Sequence, residues 1–81
     1  MTRVFRFKNF GVYVADARGE PHQMPHAHIK ERGRGICSIN LFTLTPLQRG
    51  IELPAELVKE LKDHQPELLE EWERLNPDER G

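Results

Sequence analysis

The spacing of apolar residues along this chain changes near Pro54, and that change restricts the fold more than any other feature of the sequence. Before Pro54, short segments alternate apolar and polar residues, as half-buried β-strands do. After it, apolar residues recur every three or four positions, as on one face of an amphipathic helix. That stripe consists of Leu57, Leu61, His64 or Gln65, Leu68, Trp72 and Leu75. The pattern predicts a β-rich part (1–53), a helical part (54–76) and a frayed tail (77–81).

Turn residues divide the β-rich part into two predicted hairpins. Residues 4–8 and 11–15 flank the turn sequence Asn9-Phe10-Gly11. Residues 26–31 and 36–42 flank a second turn, Arg32-Gly33-Arg34-Gly35. Residues 43–50 are expected to be irregular or to form a short edge segment. The class is therefore α+β, with a small antiparallel sheet of three or four strands packed by a C-terminal helical arm.

Pro66 interrupts the helical pattern because proline lacks a backbone donor and clashes with the preceding turn. Two outcomes are consistent with the sequence: one helix kinked near Pro66, or two helices at about 54–64 and 66–75. Trp72 is expected to anchor the arm in the core.

The composition places limits on the class of protein. The 81 residues are enough for one domain, and a single cysteine, Cys37, allows no internal disulfide. Neither a signal peptide nor a membrane-spanning apolar run is recognisable, so a cytoplasmic location without membrane association is expected. No cofactor is expected.

The charge is unevenly divided between the two parts of the chain. Residues 1–51 carry eight basic and three acidic side chains, a net charge of +5, and residues 52–81 carry four and ten, a net charge of −6. Two interpretations remain open: two surfaces of opposite potential, or neutralisation within the fold or in a homo-oligomer.

The histidines that follow Pro25 are the residues best suited to chemistry. His26 and His28 are two apart on a predicted strand, so they share a face with Lys30. They are candidate catalytic residues, because one neutral and one protonated imidazole can exchange a proton during phosphodiester cleavage. Alternatively, they only hydrogen-bond locally at a strand end. The nearby Lys30, Arg32 and Arg34 are candidate phosphate-binding residues.

A metal site would need a third ligand beside His26 and His28, and His22 is the candidate. Two histidines alone are a weak metal signal, so no metal is expected.

Basic residues near the N-terminus permit nucleic-acid binding. Arg3, Arg6 and Lys8 are expected on one strand face and could follow a phosphate backbone. Phe5 and Phe7 are expected on the opposite face as core residues, so no stacking platform is evident. A solvated strand face is the simpler interpretation.

Two motifs carry a family resemblance that covers nearly the whole chain. They are the strand Pro25-His26-Ala27-His28-Ile29 and the helical segment Glu67-Leu68-Leu69-Glu70-Glu71-Trp72. With these motifs the chain resembles the bacterial domain-of-unknown-function family 4160. The resemblance implies a gene neighbour that encodes another small protein, in a pair similar to a toxin–antitoxin module.

Three functions are consistent with these observations. The first and preferred one is a protein-interaction module that docks the neighbouring small protein through a charged surface or a sheet edge. The second is a histidine-dependent ribonuclease toxin that uses His26 and His28. The third is a metal-binding domain.

Overall fold

A computed structural model of the chain describes residues 1–16 and 24–77. In these residues four strands precede two helices. The strands are β1 (Thr2–Phe7), β2 (Phe10–Val14), β3 (His26–Glu31) and β4 (Arg34–Asn40), and the helices are α1 (Ala55–Asp63) and α2 (Gln65–Leu75). The predicted α+β class is confirmed.

The four strands form one antiparallel sheet in the order β1-β2-β3-β4. Both predicted hairpins are present, but their turns are tighter than expected. The first turn is Lys8–Asn9, with Phe10 already in β2, and the second is Arg32–Gly33, with Arg34 and Gly35 in β4. Arg32 and Gly33 both have positive φ, as a two-residue hairpin turn of type I′ requires. The backbone N–H of Arg32 donates to the carbonyl of Asn9, so the two turns lie together at one end of the sheet.

The outer edge of β4 is closed by the segment that follows it. Ile39 forms an isolated bridge with Pro46, and the backbone N–H of Leu47 donates to the carbonyl of Ser38. The side chain of Gln48 accepts a hydrogen bond from the N–H of Ser38. This segment, predicted to be irregular or a short edge, therefore covers an edge that would otherwise be open to pairing with another strand.

The helical arm consists of two helices, and the alternative of one kinked helix is wrong. The break falls at His64, and Pro66 is the second residue of α2, where its missing N–H costs no intrahelical hydrogen bond. The imidazole of His64 stacks on the ring of Phe5 with a centroid distance of 4.0 Å. Its ring nitrogens face Glu60 and Glu67, which lie on either side of the break. Neither helix is both long and apolar enough to cross a membrane.

The core lies between the inner face of the sheet and the helical stripe. Phe5, Val12, Ile29 and Cys37 are opposite one another across the four strands, and the last three of them are buried. Four stripe residues are buried against this face: Leu57, Leu61, Leu68 and Trp72. The burial of Trp72, which is 5% exposed, agrees with its expected role as anchor of the arm. The face opposite the helices is left for polar side chains.

Candidate functional site

The register of the strands aligns a row of polar side chains across the outer face of the sheet. Tyr13 of β2 is opposite both Arg3 of β1 and His28 of β3, and His28 is opposite Ser38 of β4. Side chains at directly opposed positions of antiparallel strands project from the same face, about 5 Å apart. We call these four residues, Arg3, Tyr13, His28 and Ser38, the polar row.

A bulge in β1 places Arg3 in the polar row. Residues 3 and 6 differ by an odd number of positions, so a regular strand would put their side chains on opposite faces. The register shifts between Arg3 and Phe5, which are opposite Tyr13 and Val12 respectively. The extra residue returns Arg3 to the face of Arg6, so the predicted common face of these two arginines occurs because of the bulge.

Lys8, the third residue expected on that face, is not there. It lies in the first turn with φ of 52°, and its ammonium forms an ion pair of 2.5 Å with Glu56 of α1. The ion pair lowers the pKa of the Glu56 carboxyl, chiefly through the hydrogen bond from Lys8. The lysine therefore connects the first hairpin to the helical arm.

A second set of directly opposed residues runs across the sheet next to the polar row and supplies further cations. We call it the second register line. Arg6 is opposite Gly11, Gly11 is opposite Lys30, and Lys30 is opposite Gly35. Together with the polar row this line borders an open trough of about 210 Å³. The trough is lined by Arg3, Arg6, Asn9, Gly11, Tyr13, Lys30, Arg32 and Gly33. We call it the cationic trough, because four of these residues are basic and no described carboxylate lines it.

Tyr13 lines the cationic trough from β2, which lies between the other two strands that border it. Its ring reaches back along β2 over Gly11, where an added Cβ would come within 2.7 Å of Tyr13 Cε1. The Lys30 ammonium lies 5.0 Å from the ring centroid, close enough for a cation–π interaction. Gly11 therefore permits the position of the aromatic ring, and Lys30 contacts it.

The two histidines have different surroundings, although their rings are only 5.2 Å apart in an edge-to-face arrangement. Nδ1 of His28 and Oγ of Ser38 are 3.2 Å apart, which is a hydrogen bond within the polar row. Nδ1 of His26 donates to the carbonyl of Met24 at 2.9 Å, since a carbonyl can only accept. The ring of His26 also lies 4.9 Å from that of Trp72. His28 therefore belongs to the polar row, whereas His26 packs where the sheet meets the arm.

The three predicted phosphate-binding residues are divided by the structure. Lys30 and Arg32 line the cationic trough. Arg34 is exposed and directly opposite Glu31 in the pairing of β3 with β4, so its nearest cross-strand neighbour is a carboxylate. Only two of the three therefore remain candidates for this site.

The described residues contain no group of three or more potential metal ligands. His22, the candidate third ligand beside His26 and His28, lies outside the described residues. Cys37 projects into the core from the other face of the sheet, and burial raises the pKa of its thiol. Burial therefore disfavours the thiolate form, which is the form that binds metals and reacts as a nucleophile.

Two residues of the polar row, Tyr13 and Ser38, were missed by reasoning from the sequence. The available signal was alternation: Val12 and Val14 are buried, so Tyr13 between them belongs to the outer face. Its neighbours across the sheet are not local in sequence: Arg3 is opposite Tyr13 only because of the bulge in β1, and His28 is opposite it through the pairing of β2 with β3. A slip of one residue in either pairing would reverse the faces.

The fold and the trough define a small α+β domain whose sheet has one face covered by helices and one polar, cationic face. Comparisons do not narrow this class: no protein-family model matches the chain, and neither the curated proteins nor the solved structures include a significant match. The resemblance to domain-of-unknown-function family 4160 therefore stays a prediction.

Proposed function

We propose that this chain is a binding module for nucleic acid and that the phosphates lie in the cationic trough. One observation carries the proposal: Arg3, Arg6, Lys30 and Arg32 surround one open depression that no described carboxylate lines. Like charges gathered on one face repel one another, and a polyanion offsets that repulsion.

The charge distribution supports a polyanionic ligand despite the net charge of −1. The two helices carry seven acidic and three basic side chains, and they cover the face of the sheet opposite the trough. The overall charge therefore conceals a local positive surface. Phosphate-binding side chains act within about one Debye length, roughly 10 Å, so this local surface governs binding.

The aromatic ring within the trough favours nucleic acid over an acidic protein surface. Tyr13 offers a π-face between cations, which is the combination used for bases and phosphates together. The sequence predicted no stacking platform because Phe5 and Phe7 were expected in the core, and their side chains do pack against it. Tyr13 was not part of that argument, and it lines the trough.

The proposal is tested by fluorescence anisotropy with a labelled RNA of about 12 nucleotides. Arg6→Gln/Lys30→Gln removes two cations from the trough, and Lys59→Gln/Lys62→Gln removes two exposed cations from α1 as a control of equal charge. We expect the first variant to lose at least about tenfold in affinity at low salt. The slope of log K against log salt should become shallower by roughly 1.5, since each phosphate contact contributes about 0.7 to 0.9.

The control variant should bind within about twofold of the unmodified protein, because its lost charges lie away from the trough. Equal weakening in both variants would show that only net charge matters and would overturn the proposal. Absence of saturable binding at low salt would also overturn it, and the prediction of a protein-interaction module of a toxin–antitoxin-like pair would then be preferred.

A ribonuclease is the second candidate, and the position of His28 favours it. His28 is opposite Tyr13 in the polar row, next to the line that contains Lys30, so an imidazole lies near the proposed phosphate path. Gel analysis of the same RNA after incubation with the protein tests this function. Cleavage that disappears in His28→Ala but persists in Lys59→Gln/Lys62→Gln would support it, and intact RNA would contradict it.

A further inference from the structure

The position of Tyr13 bears on which form of nucleic acid the cationic trough accepts. The polar row places Tyr13 between Arg3 and His28, and the second register line runs beside it through Arg6 and Lys30. An aromatic ring is thus flanked on both sides by groups that can bind phosphate. In a duplex the base faces are stacked on one another and only the grooves and the backbone are accessible. The ring can therefore contact the face of a base only in an unpaired strand.

The glycines of the second register line leave room beside the ring. Lys30 is opposite Gly11 on one neighbouring strand and Gly35 on the other. Because glycine has no side chain, neither of these two residues restricts the movement of the Lys30 side chain across the sheet. An added Cβ at Gly35 would meet nothing within 4 Å, whereas one at Gly11 would strike the Tyr13 ring. Lys30 can therefore move from the ring to a phosphate when a base takes its place, because a lysine side chain is long and rotates freely.

Resting on the proposed function, we infer that the ligand is a single-stranded nucleic acid with one base stacked on Tyr13 and the adjacent phosphates bound by Arg6 and Lys30. Duplex RNA of the same length presents more phosphate charge but no free base face along the helix. It therefore binds through the cations alone and more weakly than the single strand.

The test compares a single-stranded RNA with a blunt-ended duplex of the same length, using the unmodified protein, Tyr13→Ala and Tyr13→Phe. We expect the unmodified protein to prefer the single strand by at least about fivefold. Tyr13→Ala should lose roughly tenfold on the single strand, as the removal of one stacking side chain does, and less than about twofold on the duplex. Tyr13→Phe keeps the ring and should retain both affinities.

A second measurement keeps the inference testable if Tyr13→Ala does not fold. Irradiation of the unmodified protein bound to RNA that contains 5-iodouridine should give a crosslink, which mass spectrometry assigns to Tyr13. Crosslinks elsewhere on the chain, or equal affinity for single strand and duplex, would overturn the inference and leave the proposed function standing. Absence of binding to either RNA would instead contradict the proposed function itself.

Discussion

At the scale of single residues, Trp72 connects the core to the candidate site. It is 5% exposed, and its ring lies 4.9 Å from that of His26, which begins the strand that carries His28 and Lys30. Asn76, one turn after Trp72, donates from Nδ2 to the carbonyl of Ala15, which follows β2. The end of α2 therefore holds the end of the sheet at which His26 lies.

Replacement of Trp72 by alanine should cost about 3–5 kcal/mol of unfolding free energy, because it leaves a large cavity that the sheet and helices fill only in part. Urea unfolding followed by circular dichroism measures the cost. Glu73→Ala, at the adjacent exposed position, should change stability by less than about 0.5 kcal/mol. A loss below about 1 kcal/mol in Trp72→Ala would show that α2 is not packed on the sheet as described.

At the scale of elements, the two hairpin turns and the bulge in β1 together set which residues reach the outer face. Both contain two residues, and a hydrogen bond between Arg32 and Asn9 connects them. Gly33, with φ of 82°, adopts a conformation that a residue with a Cβ occupies only under strain. The second turn therefore depends on glycine at this position.

Gly33→Ala should destabilise the protein by about 1–2 kcal/mol through this backbone strain. The Gly35→Ala control adds the same methyl group at a position without positive φ, where nothing lies within 4 Å. Thermal unfolding of both variants measures the difference. Equal stability of the two variants would contradict the assignment of the turn.

The features of the elements that depend on residues close in sequence could be predicted, and those that depend on exact strand pairing could not. The two periodicities and the turn residues were sufficient for the α+β class, the two hairpins and the burial of Trp72, because each depends on nearby residues. The break at His64 was one of two outcomes, because proline permits both a kink and a new helix start. The cationic trough required more, since the bulge in β1 and the exact turn boundaries have weak sequence signals and the pairing of β2 with β3 is not local. For that reason Tyr13 was missed, and Lys8 lies in the first turn instead of on the outer face.

At the scale of the whole molecule, the fold separates charge. The acidic helices cover one face of the sheet, and the other face keeps the cationic trough, which Tyr13 helps to line. This separation agrees with the first interpretation of the uneven charge, in which two surfaces differ in potential. An acidic protein would be attracted by the same charges, so the surface that contacts RNA is the property to measure.

The central claim is that the outer face of the sheet binds nucleic acid, and an NMR titration of ¹⁵N-labelled protein with single-stranded RNA tests it most directly. We predict that the largest amide shifts occur at Arg6, Tyr13, His28 and Lys30, while α1 and α2 are unaffected. Shifts concentrated on the helices, or no shifts at saturating RNA, would contradict the account.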